Sequence, residues 1–229
     1  MTFAALPERL AQVGAEIAQR QAAGGWRHPV TVVAVTKGFG LDAVAAALAA
    51  GLTELGENRV QEALEKIDTD VGRGAAWHLI GHLQRNKAKL VPGRFTMVQS
   101  VDSLALAEEL DRRAGERGVT LRTLVQVNVA REPQKSGCDP GLAPALARAA
   151  AGLSHLKLEG LMTMAPFTDD TDVQRRTFRG LRALRDQLQQ EGLWLPTLSM
   201  GMSADYGTAV EEGATVIRLG TVLFGTRAT

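Results

Sequence analysis

Cysteine is what this sequence has least of: its 229 residues include one, Cys138. A lone thiol cannot close a disulfide within the chain, and this usage fits a reducing cytoplasm. Nothing near Cys138 in sequence supplies the cationic surroundings of a reactive thiolate, so it reads as a small side chain in a loop. Charge imbalance is missing too. The net charge is +1, which leaves no global field to attract nucleic acid or an anionic membrane. No stretch approaches the roughly 18 consecutive apolar residues of a membrane span. The opening MTFAALPERLAQVGAEIAQR carries charges throughout and lacks a secretion-signal core; it reads as an amphipathic helix. No linker, low-complexity tract or composition break divides the chain, and no strand–GxGxxG–helix pattern marks a dinucleotide fold.

What is present is alternation. Strand patterns at Thr31–Thr36, Thr53–Leu55, Trp77–Ile80, FTMVQSVD, LRTLVQVNV, LKLEGLMTM, PTLSM and TVIRLG are each followed by a helical or short apolar segment. Helices are expected at Leu41–Ala50, after Asn58, near Asn86–Leu90, up to Arg117, near Leu142–Ala151, at Thr171–Gln190 and across Ala204–Glu212. In the Thr171–Gln190 segment Phe178, Leu181, Leu184 and Leu188 make one stripe, and Arg175, Arg179 and Arg182 read as a solvated face. About eight β-then-α units of roughly 25 residues predict a single (β/α)8 TIM barrel with an extra N-terminal helix, one domain over residues 1–229. A doubly wound sheet is the alternative architecture.

The working face of such a barrel is the C-terminal end of its strands. In VTVVAVTKGFG a buried strand delivers Lys37 to that end, beside glycines. A lysine partly withdrawn from water there can attack a carbonyl as a neutral amine, or be a snorkelling or ion-paired side chain. SMGMS, Ser199–Ser203, follows the seventh strand with hydroxyls, a glycine and free backbone N–H groups. IRLGT, Ile217–Thr221, ends the eighth strand with Gly220. Loops after strands seven and eight commonly hold phosphate, and strand eight adjoins strand one on closure, so an amine and a phosphate cradle could grip one small ligand. Asn58 with Gln61 has capping-box spacing, as plausible a use as ligand contact. His78 and His82 lack the carboxylate or cysteine neighbours of a zinc set, and His82, Gln84 and Asn86 read as polar lining.

The stretches VAVTKGF, ELGENRVQEALEK, WHLIGHLQRNKAKL, VQVNVAREPQKSG, LEGLMTMAP, SMGMSADY and VIRLGTVLFG resemble, in order, the signatures of the pyridoxal phosphate homeostasis protein family, from about Val32 to Arg227. The resemblance implies a barrel similar to the N-terminal domain of alanine racemase, holding pyridoxal 5′-phosphate (PLP) as a Schiff base on Lys37. It implies phosphate contacts from Ser199, Met200, Ser203, Gly220 and Thr221. Arg218 would face the pyridine nitrogen, and Asn58 and Met164 would border the cofactor. Lys135 matches a second lysine implicated in cofactor handling.

The function expected is intracellular PLP homeostasis: a cytoplasmic, monomeric carrier that passes PLP to PLP-dependent apoenzymes without substantial catalysis. A PLP-dependent amino-acid racemase is the alternative. Alanine racemases resembling this barrel carry a further β-domain and a tyrosine acid/base, whereas this sequence ends about ten residues after IRLGT, and Tyr206, its one tyrosine, reads as a surface or packing residue. Arg218 offers only donors and would keep a pyridine nitrogen unprotonated, although racemases of this barrel type use an arginine there too. A Schiff-base aldolase without PLP would leave both phosphate-like loops unexplained unless its substrate were a phosphorylated sugar.

Overall fold

The structure, a computed structural model, describes residues 3–226. Arg227, the last residue of the resemblance, lies outside the described residues. The strands are β1 Thr31–Val35, β2 Glu54–Glu57, β3 Ala76–Leu79, β4 Met97–Val101, β5 Leu121–Gln126, β6 Leu156–Met162, β7 Thr197–Met202 and β8 Val216–Leu219. They form a closed parallel barrel in sequence order. Closure sets Val33 of β1 beside Arg218 of β8, and Ala34 beside Leu219.

Helix α1, Leu6–Gly24, precedes the barrel. Then follow α2 Leu41–Ala49, α3 Val60–Ile67, α4 Leu104–Glu116, α5 Ala143–Ala151, α6 Thr171–Gln190, α7 Tyr206–Glu211 and the short α8 Thr221–Phe224. The expected helix between β3 and β4 is instead a 3-10 segment, Arg85–Leu90. Pro92 lacks an N–H and Gly93 turns back with φ +76°, so there is room for only a tight, short coil.

Strand parity divides the core in two. Outward-facing Leu55, Leu79, Leu198 and Ile217 join buried helix residues such as Phe178, Leu181 and Leu188 in the main layer. Met97, Leu124 and Met162 form a smaller cluster with Met164 packed against it. Fully burying one such side chain contributes about 1.5–3 kcal/mol.

The α6 arginines are not simply a solvated face. Arg175 reaches Glu211 and Glu212, Arg179 Nε meets Glu212 Oε2 at 2.9 Å, and Arg182 bonds Glu212 while lying 5.3 Å from the Trp26 ring. Arg20 of α1 joins through Glu211. The packing of α7 against both α1 and α6 leaves the Glu212 side chain only 4% exposed, and a buried carboxylate requires such partners. Burial alone would raise the pKa of Glu212, but bonds from Arg179 and Arg175 bring it below the ordinary value.

Candidate functional site

At the C-terminal mouth lies a cavity of about 550 Å³. Val35 and Lys37, two residues apart on the alternation of β1, form one wall. Lys37 is half-buried. Its backbone is fixed on both sides from behind. Lys66 Nζ of α3 donates to Thr36 O at 2.9 Å and to Glu57 Oε1 at 2.6 Å, while the Thr36 hydroxyl donates to the same Glu57 oxygen at 2.6 Å. On the other side Gly38 N donates to Glu62, which also lies 3.6 Å from Lys66. Glu57 is fully buried, and its other oxygen, Oε2, has no hydrogen-bond partner among the described residues. Burial raises the Glu57 pKa despite the opposing bonds from Lys66 and Thr36.

The β7–β8 side is built from donors. Ser203 Oγ accepts from the backbone N–H groups of Gly220 and Val222, each at 3.3 Å, which leaves its own hydroxyl proton to donate. Asp205 holds the loop by accepting from Met202 N–H at 2.5 Å. Gly201 permits the turn: its φ is +95°, and a Cβ there would sit 2.6 Å from Ala209 Cβ. Ser203, Gly220 and Thr221 line the cavity, as does Met202.

Arg218 also lines the cavity and is 3% exposed. It begins a buried chain of hydrogen bonds. Arg218 NH1 donates to Ser199 Oγ at 2.5 Å, Ser199 Oγ to Gln99 Oε1 at 2.6 Å, and Gln99 Nε2 to His78 Nδ1 at 2.8 Å. His78 Nε2 then meets Glu54 Oε2 at 2.5 Å, at the first residue of β2. Because Gln99 donates to Nδ1, the proton of a neutral His78 sits on Nε2 and points at Glu54. Arg218 NH2 donates to Thr163 O at 2.8 Å. Burial pushes the Arg218 pKa down to about 10, so it stays charged at neutral pH.

Two expected phosphate ligands do not reach the cavity. The hydroxyl of Ser199 is fully buried between Gln99 and Arg218. Met200 is fully buried in the main core layer. The β7–β8 register shifts between Ser199 and Met202, so simple alternation along SMGMS fails and brings Met202 and Ser203, rather than the first two residues, to the mouth. Asn58 lines the cavity but is not a helix cap: Arg59 occupies that position, with no side-chain cap bond among the described residues. Met164 also lines the mouth.

His82 borders the cavity and bonds Asp102 at 3.2 Å, while Gln84 borders a neighbouring one. Asn86 is exposed in the 3-10 segment. Among the described residues no cluster could hold a metal ion. Lys135 Nζ donates to Ala165 O at 2.6 Å and pairs with Glu132, tying the β5–α5 loop beside Met164. Tyr206 is buried and donates its hydroxyl to Glu16. Burial pushes the Cys138 thiol up to about 11.

The sequence reading passed over Glu57, Lys66, Gln99 and Gln126. Gln126 lines the cavity, donates to Ser136 O at 3.0 Å, and has a buried Oε1 without a partner among the described residues. A polar residue inside an otherwise apolar strand was the available signal for Gln99 and Gln126; Glu57 and Lys66 show no comparable signal before the fold pairs them.

The family model described as alanine racemase, N-terminal domain, matches residues 15–228. The pyridoxal phosphate homeostasis protein of Pseudomonas aeruginosa is 42% identical over 97% of this chain and 96% of its own length. PipY of Synechococcus elongatus, solved with PLP bound, is 40% identical, covers 91% of this chain and 100% of its own, and superposes with a TM-score of 0.78. An alanine racemase from Clostridium difficile shares the fold at a TM-score of 0.76 and 14% identity, over 94% of this chain and 60% of its own.

Proposed function

The chain belongs to the pyridoxal phosphate homeostasis protein family, and from that premise we propose that it is a PLP carrier: it holds the cofactor in the barrel mouth and passes it to PLP-dependent apoenzymes without substantial catalysis of its own. The proposal takes residues 1–229 as one PLP-binding barrel domain, working as a monomer in the cytoplasm. Among the described residues no helix is long and apolar enough to cross a membrane.

The observation that carries this reading is the kind of group the cavity offers. Lys37 brings an amine, Ser203 and Thr221 bring hydroxyls, and Arg218 brings a guanidinium, with Val35, Ile80 and Met164 as apolar walls and Gly220 closing the β8 end. Gln126 Oε1 adds an unspent acceptor. These groups fit a flat ring bearing an aldehyde and a phosphate. Bound PLP supplies that aldehyde for covalent attachment and a ring able to withdraw electrons.

Each side chain then has a separate task. Lys37 is the attachment point, with its backbone held by Lys66, Glu57 and Glu62. Ser203, Gly220 and Thr221 would hold the phosphate, and Asn58 and Met164 would border the ring. Arg218, a donor locked by Ser199 and Thr163, would face the ring nitrogen and leave it unprotonated, which weakens electron withdrawal from an amino acid. In this proposal Ser199 and Met200 are not direct phosphate ligands; Ser199 acts through Arg218.

The racemase reading needs an acid/base across from Lys37. Tyr206, the one tyrosine, has its hydroxyl engaged with Glu16 of α1 and does not line the cavity. Proton transfer without a positioned acid/base loses a contribution of typically 10²–10⁴-fold. Borohydride reduction of the PLP-loaded protein tests the holding role. Peptide mass mapping is expected to find the phosphopyridoxyl group on Lys37; its recovery mainly on another lysine would overturn the assignment.

A further inference from the structure

A second cavity, of about 270 Å³, adjoins the cofactor cavity and shares Asn58 and His82 with it. Its remaining lining includes Arg59, Gln61, Gln84 and Lys87. These residues come from GENRVQE and WHLIGHLQRNK, two motifs that cofactor holding uses only in part. Arg59 and Lys87 have no salt-bridge partner among the described residues, whereas Arg20, Arg175, Arg179 and Arg182 all reach carboxylates. The nearby acidic groups are engaged elsewhere: Asp102 with His82, Glu62 with Gly38 N–H and Lys66, and Glu57 with Lys66 and Thr36.

The barrel order gives this second cavity a direction. Around the mouth, β7 and β8 carry the phosphate-holding loops, β1 carries Lys37, and β2 and β3 lead into the cationic cavity. Lys37 therefore stands between the two. At about 30 Å³ per water, the cavity has room for roughly nine water volumes, enough for a small amino acid. A carboxylate suits Arg59 and Lys87, with the amides of Gln61 and Gln84 able to take further hydrogen bonds.

We propose that this cavity is a carboxylate-binding site for a small amino acid, which presents its amine toward Lys37 and exchanges with that lysine to release the cofactor. The proposal rests on the carrier reading. In the exchange, the unprotonated incoming nitrogen takes the place of Lys37 Nζ: a carbon–nitrogen double bond to it forms as the double bond to Nζ breaks. The two hydrogens it sheds end on Nζ, leaving Lys37 a neutral amine, and nothing is oxidised or reduced.

Two measurements test it. In the first, PLP-free protein is titrated with propionate while the Arg59 side-chain N–H signal is followed by NMR. A saturable shift is expected, with affinity about tenfold weaker in Lys87→Gln; no saturable shift, or equal affinity in the variant, would overturn the site. In the second, loss of lysine-bound cofactor is compared for L-alanine and L-alaninamide at equal concentrations of unprotonated amine. L-alanine is expected to act about tenfold faster, with the ratio falling to about one in the Arg59→Gln, Lys87→Gln double variant. An unchanged ratio in that variant would overturn the amino-acid assignment. If no PLP is held on Lys37, the carrier reading and the exchange role fail together, while the propionate titration still decides the anion site.

Discussion

The two sides of the mouth present positive character in different ways. On the β7–β8 side it comes from the Ser203 hydroxyl, whose oxygen accepts from two backbone N–H groups, and from the buried Arg218, fixed by Asp205, Ser199 and Thr163. On the β2–β3 side it comes from Arg59, exposed, and Lys87, half-buried, on long side chains without carboxylate partners among the described residues. Fixed donors need little reorganisation on meeting an anion, so they suit a group that is retained. Long side chains lose rotamer freedom when they bind, which suits a ligand that comes and goes. Lys37 lies between these two kinds of surface, where holding and exchange can be separated.

Removing the divider has the largest expected effect. Lys37→Ala abolishes covalent retention and the absorbance band near about 420 nm expected of a lysine-bound PLP. The barrel stays folded, because the bonds to Thr36 and Gly38 use backbone and Thr36 atoms rather than the Lys37 side chain. A persistent band after removal of free PLP would contradict this.

The support behind Lys37 comes next. Lys66→Met leaves Glu57 buried without its cation and is expected to destabilise the fold by about 3–5 kcal/mol in denaturant unfolding. Adding Glu57→Gln should recover part of the loss. A single variant as stable as the parent would mean that the buried pair does not hold the β1 exit.

The two serines of SMGMS sharpen the contrast within the β7–β8 side. Ser203→Ala should weaken PLP by about 1.5–3 kcal/mol while affecting pyridoxal, which has no phosphate, much less. Ser199→Ala should weaken both ligands alike, because it acts through Arg218. Equilibrium titration of both variants with both ligands separates these outcomes; the reverse pattern would return Ser199 to the phosphate.

The smallest effect concerns Cys138, whose backbone N–H donates to Gln126 O at the end of β5. Its native thiol is pushed up from 9.0 to about 11 by burial. The folded state therefore keeps its proton where the unfolded state loses it. The resulting stability is fully present below pH 9.0 and is lost as pH rises through about 11. At pH 8 a thiol reagent should modify Cys138 only as the protein unfolds; rapid modification of native protein would contradict the buried placement.

Much of this arrangement was legible in the sequence because it depends on local pattern. Val33, Val35 and Lys37 share one parity, and the end of β8 delivers Gly220 and Thr221 to the mouth. The shifted β7–β8 register hid the different fates of Ser199, Met200 and Ser203. The partners of Gln99 were illegible for another reason: His78 and Ser199 are on β3 and β7, and only barrel closure brings all three together. The α6 arginines reveal the same limit, since periodicity gives their face but not the carboxylates that α7 places beside it.

The central claim, that this barrel carries PLP rather than turning over amino acids with it, is tested most directly by one incubation in D₂O. PLP-loaded protein is mixed with an amino acid and a PLP-dependent apoenzyme whose reaction does not use that amino acid, while Cα deuterium, chirality and apoenzyme reactivation are followed together. The account predicts reactivation, with negligible deuterium uptake or loss of chirality attributable to the carrier. Stereochemical scrambling by the loaded protein at rates near the ordinary range of about 1–10³ s⁻¹ would contradict it and favour a racemase; absence of reactivation would contradict the transfer role.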